Sequence, residues 1–145
     1  MTVWTVETDF RDEWMPGVLE LLSQEWWTAH RPSDVVEKSL RNSQLVFVAC
    51  SPQGSVVGAA RVLTDFTYLA MVLDVMSSKA HRGEGIGAAL MDAIIEHPSL
   101  QQVDSIELVC QPELQPFYAR WGFTGDVGRS GLMRRTANPL LTGGV

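Results

Sequence analysis

A chain of 145 residues that is 46% hydrophobic and 19% charged is long enough for one domain with its own core, and too apolar to be disordered. Its net charge of −6 argues against general affinity for nucleic acid or an anionic membrane, though a local basic pocket is still allowed. The first residues lack a basic region followed by a long apolar run, so neither a signal peptide nor a membrane span is expected and the cytoplasm is the default compartment. Cys50 and Cys110 have no ligand spacing and are expected to be reduced thiols.

Residues 3–7 alternate around Trp4 and Val6 and predict a short strand. Asp9 and Asp12 lead into a helix with Pro16 in its first turn; Val18, Leu19, Leu22 and Trp26 mark its apolar face. Trp26 and Trp27 near its end suit either the core or the wall of a pocket. After Arg31-Pro32, Ser33 or Asp34 can cap a second helix, with Asp34 and Glu37 matching a capping box and Asn42 suited to a left-handed C-terminal position. Residues 45–50 form a buried strand. Ser51-Pro52-Gln53-Gly54 is a turn, and residues 55–65 return as the hairpin partner, with a possible bulge at Gly58. Residues 68–77 are the next strand.

That strand runs into Lys79-Ala80-His81-Arg82-Gly83-Glu84-Gly85-Ile86-Gly87-Ala88-Ala89. Alternate glycines at the start of a helix leave backbone N–H groups bare, a ready site for a phosphate, and Arg82 adds a fixed positive charge. The alternative is a sharp turn with no ligand, which needs fewer glycines. Gly83-x-Gly85-x-x-Ala88 also satisfies a dinucleotide fingerprint, with Glu107 near the ribose-acid spacing. Context rejects it, because Lys79 to Arg82 separate the glycines from the strand and too little chain follows. The helix then places Ile86, Leu90 and Ile94 on one stripe and ends at His97-Pro98. Residues 105–110 are a strand and 114–121 a short helix closing at Gly122. Residues 123–127 and 132–135 read as a closing strand pair, and 137–145 as a frayed tail.

Arg82-x-x-Gly85-x-Gly87 resembles the acyl-CoA pyrophosphate loop of the GNAT N-acetyltransferase superfamily, and Phe117-Tyr118-Ala119-Arg120-Trp121-Gly122-Phe123 is similar to its Phe-Tyr-x-x-x-Gly-Phe segment. The order of elements resembles the whole GNAT domain. The resemblance implies an α/β (mixed α+β) fold: a single domain over residues 1–136, with a central, mostly antiparallel mixed sheet flanked by helices. It implies acetyl-CoA as co-substrate and transfer of acetyl to the primary amine of a small molecule or peptide by direct attack in a ternary complex. The rival from another class is a non-catalytic acyl-CoA-binding sensor on the same fold. Homodimerisation, common in the family, is left open.

The resemblance assigns the cofactor to Val75, Met76 and Ser77 through backbone contacts to the pantetheine arm, and to Arg82, Gly83, Glu84, Gly85, Ile86, Gly87 and Ala88 through the diphosphate. It puts Tyr118 in the general-acid position, where a phenol is protonated at neutral pH. It makes Trp26 and Trp27 part of the acceptor pocket and introduces a bulge in the strand before the glycine loop at a position the residues do not reveal. Asp74, an acid inside an apolar strand, is either the base or a satisfied structural acid. Glu107 and a water chain are the other proton routes. Cys110 suggests an acyl-cysteine route less readily than it suggests a small buried side chain. His30, His81 and His97 are scattered, and neither His-x-x-x-His nor Cys-x-x-Cys occurs, so no metal is expected.

Overall fold

In a computed structural model, which describes residues 4–143, the chain separates into two compact units, one ending at Val109 and one beginning at Cys110. The first carries a five-stranded sheet in sequence order: β1 (Thr5–Glu7), β2 (Leu45–Cys50), β3 (Val56–Thr64), β4 (Leu69–Ser77) and β5 (Ser105–Leu108). The first four strands pair antiparallel. β5 joins β4 in parallel through a crossover containing α3 (Ile86–Glu96). The expected mixed, mostly antiparallel sheet flanked by helices is therefore present. Val3, expected to open the first strand, lies outside the described residues.

β2 and β3 are buried on both faces, which is why their sequences run apolar without alternation. One face packs on α1 (Met15–Ser23) and α2 (Ser33–Arg41) through Val18, Leu22, Val36, Leu40, Val46, Val48, Ala59 and Met76. The other packs on α3, whose Ile86, Leu90, Met91 and Ile94 are buried. Gly58 makes that approach possible. A Cβ there would stand 2.4 Å from Ile86 Cγ2 and 3.1 Å from the Met76 carbonyl oxygen. The bulge expected around Gly58 falls beside it: Ala49 faces Gly58, Cys50 faces Val56, and Val57 is the extra residue.

Several local expectations are corrected. The first helix ends at Ser23, short of Trp26. The buried Thr28 hydroxyl donates to the Leu22 carbonyl and so satisfies the helix end from a loop. The capping box before α2 does not form. Pro32 is the N-cap residue and no side-chain hydrogen bond caps the helix. Asn42 keeps a negative φ of −98° and donates its side-chain N–H to the Lys38 carbonyl.

The second unit holds a short helix, α4 (Gln115–Ala119), entered through a 3-10 turn at Pro112–Leu114. The closing strands expected at 123–127 and 132–135 are not formed. Neither stretch pairs as a strand; the chain bends at Gly125 and turns at Gly128 and Arg129 between them. Glycines at 122, 125, 128 and 131 weaken strand propensity, and Gly122 and Gly128 take φ of +88° and +64°. Thr124 and Asp126 side chains accept from backbone N–H groups two residues on, so local turns replace a ladder. In the expected tail, Pro139–Leu141 forms a 3-10 turn capped by the Asn138 side chain. Among the described residues, no helix is long and apolar enough to cross a membrane.

Candidate active site

The site in the first unit is built on β4, the glycine loop and α3. Along β4 the register slips by one residue: Leu73 faces Arg61 and Met76 faces Ala59, so Asp74 and Val75 share the position opposite Ala60. This is the bulge that the sequence could not position. Asp74 sits in it at φ +54°, a left-handed conformation that a short polar side chain tolerates better than a branched one. Pairing with β5 runs from Leu69 to Val72. Beyond Val72, Leu73, Met76 and Ser77 keep their ladder with β3, and residues 73–77 have no β5 partner among the described residues. Val75, Met76 and Ser77, the expected pantetheine contacts, thus lie on an open strand edge. The Met76 side chain is buried against the α1 face.

The Asp74 carboxylate is held on one oxygen. Arg61 Nε donates to Oδ2 at 2.8 Å and Arg31 Nη1 donates to the same oxygen at 3.0 Å. The Asp74 and Arg61 side chains are largely buried, at 12% and 14% exposure, and Arg31 is less so. A small, mainly apolar cleft borders the pair, lined by Val18, Leu22, Leu40, Ala59, Arg61 and Met76. Neither arginine was singled out from the sequence. Arg61 was detectable: a lone cation in a buried strand needs an anion, and Asp74 is the acid of the adjacent apolar strand. Arg31, 43 residues away and in a loop, leaves no such signature.

After β4 the chain makes a 3-10 turn, Lys79–His81, and enters the glycine loop. Gly83 and Gly85 both adopt φ +83°, the conformation in which glycine has the advantage. Gly85 is the N-cap of α3 and makes no side-chain capping bond. The first-turn N–H groups of Ile86, Gly87 and Ala88 therefore head an eleven-residue helix with its positive dipole end towards the loop. Glu84 is different from its neighbours. Its N–H already donates to the His81 carbonyl, its carboxylate pairs with His81 Nδ1 at 2.9 Å, and its carbonyl accepts from Trp4 Nε1. Trp4 also stacks edge-on against His81, at 5.5 Å between ring centroids. Glu84 thus braces the loop. Arg82 pairs with Glu25, from the loop after α1, at 2.5 Å.

Trp26 and Trp27 diverge. Trp26 is 63% exposed, whereas Trp27 packs against the core cluster. Glu107 is exposed and accepts from Ser105 Oγ. His97 caps the turn after α3 and stacks edge-on against Phe47. His30 is exposed in the α1–α2 loop. No group of three or more His, Cys, Asp or Glu with metal-binding geometry occurs among the described residues.

In the second unit Tyr118 is buried, with Phe117 and Phe123 edge-on at 5.0 and 6.2 Å. Burial, aided by the nearby Cys110, pushes its phenol up to about 12, so it is protonated across the neutral range. Both cysteines are free. Burial raises the Cys50 thiol, and burial followed by Glu113 raises that of Cys110. A raised thiol is a poor nucleophile, which weakens the acyl-cysteine route.

A family model described as an acetyltransferase (GNAT) domain matches residues 7–132. The chain belongs to the GNAT acetyltransferase family. A Xanthomonas campestris pv. campestris protein described as a "putative acetyltransferase belonging to the gnat family" has a crystal structure that superimposes with a TM-score of 0.79, at 31% identity over 94% of each chain. The Glycine max protein named "Probable acetyltransferase TAP2" is 27% identical over 118 residues, 74% of this chain and 47% of that protein. Serotonin N-acetyltransferase 2, chloroplastic, of Oryza sativa subsp. japonica is 29% identical over 99 residues, 66% of this chain and 50% of that protein. The chain spans about half the length of these two plant relatives.

Proposed function

We propose that this GNAT protein binds acetyl-CoA on the glycine loop and transfers the acetyl group to a primary amine. The observation that carries this is the uncapped N-terminus of α3 behind two left-handed glycines, directly downstream of a strand edge that β5 leaves unpaired. Bare N–H donors at a helix start suit a diphosphate, and an open strand edge suits an extended amide-bearing arm. Acetyl-CoA would supply the activated acyl thioester. Among the residues assigned from the sequence, Gly83, Gly85, Ile86, Gly87 and Ala88 serve the diphosphate through the backbone and Arg82 through its charge. Glu84 contributes by holding the loop. Val75, Met76 and Ser77 offer backbone groups to the pantetheine amides and to the thioester oxygen.

Tyr118 is assigned as the acid that protonates the leaving thiolate, on its place in the Phe-Tyr-x-x-x-Gly-Phe motif. A buried, protonated phenol suits that task. The amine proton leaves through Asp74 or through water. Two guanidinium groups converge on Asp74 Oδ2, and that favours an anchoring role for the carboxylate, with water as the proton route. The acceptor class is a primary amine, in keeping with the N-acetyltransferase name of the rice relative. Calorimetric titration of the purified protein with acetyl-CoA, followed by a thiol-release assay against a panel of amines, tests both halves. Micromolar binding with amine-dependent thiol release is expected. Absence of acetyl-CoA binding would remove the proposal.

A further inference from the structure

Arg82 is the fixed cation at the phosphate loop, yet its guanidinium is already taken. Glu25 accepts from its Nη2 at 2.5 Å, across 57 residues of sequence. The Glu25 side chain is 17% exposed, and that of Arg82 is 55% exposed. The same connecting segment touches the cofactor elements twice more. Gln24 Oε1 accepts from the Lys79 backbone N–H at 3.3 Å, at the start of the turn that leads into the glycine loop. Arg31 reaches Asp74 in the β4 bulge. Residues 24–31, which include both Trp26 and Trp27, are therefore fastened at one end to the glycine loop and at the other to the bulged strand.

We propose that Glu25 is a displaceable counter-ion for Arg82, and that the cofactor diphosphate takes Arg82 from it. Resting on the assignment of acetyl-CoA to this loop, the proposal follows from charge. A diphosphate and a carboxylate compete for one guanidinium. Binding then costs the Glu25–Arg82 pair and frees the Glu25 side chain, while the Gln24–Lys79 and Arg31–Asp74 contacts persist. The segment carrying Trp26 and Trp27 thus loses one of its three fastenings when the cofactor binds.

The test is calorimetric titration with acetyl-CoA of wild type, Glu25→Gln, Arg82→Gln and the double variant. Glutamine keeps a hydrogen-bond acceptor and removes the charge. Glu25→Gln is expected to bind acetyl-CoA roughly three- to tenfold more tightly, as for a partly screened charge. The gain should vanish on the Arg82→Gln background. It should also vanish with acetyl-pantetheine, which lacks the diphosphate. Without ligand, hydrogen exchange over residues 24–31 should be faster in Glu25→Gln than in wild type. Equal or weaker binding by Glu25→Gln, with wild type still binding, overturns the counter-ion role and makes Glu25 a residue that orients Arg82. A gain that persists in the double variant overturns it as well. Failure of every protein to bind acetyl-CoA removes instead the cofactor assignment beneath it.

Discussion

Arg61 donates to Asp74 at 2.8 Å at the step where β4 carries one residue too many, so an ion pair and a backbone irregularity occupy the same place. Asp74 holds φ +54° there while taking a second guanidinium from Arg31. Removing the carboxylate leaves two cations facing each other in a mostly buried site. Asp74→Ala is expected to destabilise the protein by about 3 kcal/mol through the lost partner, with roughly 1 kcal/mol more for a left-handed alanine. Asp74→Asn keeps an acceptor and a residue tolerant of that φ, and should lose clearly less. Urea denaturation of the two variants checks the order.

The same substitution separates anchoring from proton transfer. If the carboxylate holds the bulge and water removes the proton, Asp74→Asn should keep kcat within about tenfold of wild type. Its melting temperature should fall, and the shape of its pH–rate profile should persist. A fall in kcat beyond about a hundredfold, with the profile's acid limb lost and stability unchanged, would assign the base to Asp74.

Gly85 is left-handed with nothing within 4 Å of an added Cβ, so its constraint is conformational rather than steric. Gly85→Ala should cost about 1 kcal/mol of stability and weaken acetyl-CoA binding modestly. Gly85→Glu adds the same strain plus an anion at the helix N-terminus, and calorimetric binding should be lost.

Gly58 is the opposite case: its φ is ordinary and its surroundings are full. An added methyl meets Ile86 Cγ2, Leu90 Cδ1 and the Met76 carbonyl within 2.4–3.2 Å, in a region where Ile86 and Leu90 are 2% and 0% exposed. Gly58→Ala is expected to cost about 1–3 kcal/mol by overpacking. Because Ile86 is the first residue of α3, the displaced side chain should also shift the helix turn to which the diphosphate is proposed to bind. Weaker acetyl-CoA binding should accompany the stability loss, by titration and urea denaturation on the same sample.

The sheet and the glycine loop were legible because each has a local signature. The runs at 45–50 and 68–77 are apolar and bounded by turn residues, and Gly83 and Gly85 take the left-handed conformation that favours glycine. What escaped is non-local or set by competition. The end of the first helix depends on Thr28 reaching back to Leu22, which overrides a helical spacing that continues to Trp26. Arg31 and Glu25 reach the site from a loop, where no periodicity marks them. The expected strands after Gly122 had the right apolar residues but too many glycines, and Leu132 and Met133 end 69% and 95% exposed rather than paired. The position of the bulge depends on a register between β3 and β4 that neither strand encodes alone.

Tyr118 offers the sharpest test of catalysis, because its environment and its proposed role make separable claims. Burial holds its phenol up to about 12, above the ordinary value of 10.0. A folded value above the unfolded one means that the native state keeps the proton longer. The associated stability is therefore complete below pH about 10 and is lost as pH rises towards 12. Tyr118→Phe removes that alkaline dependence while keeping the ring that packs on Phe117 and Phe123, so stability near pH 7 should change little. If the phenol protonates the leaving thiolate, kcat for thiol release should fall by about 10²–10⁴ with acetyl-CoA affinity unchanged. The phenol stays protonated throughout pH 6–9, so it should contribute no inflection to the wild-type pH–rate profile there. An inflection in that range that disappears in Tyr118→Phe would contradict the buried, protonated donor. Unchanged turnover in the variant would confine Tyr118 to packing.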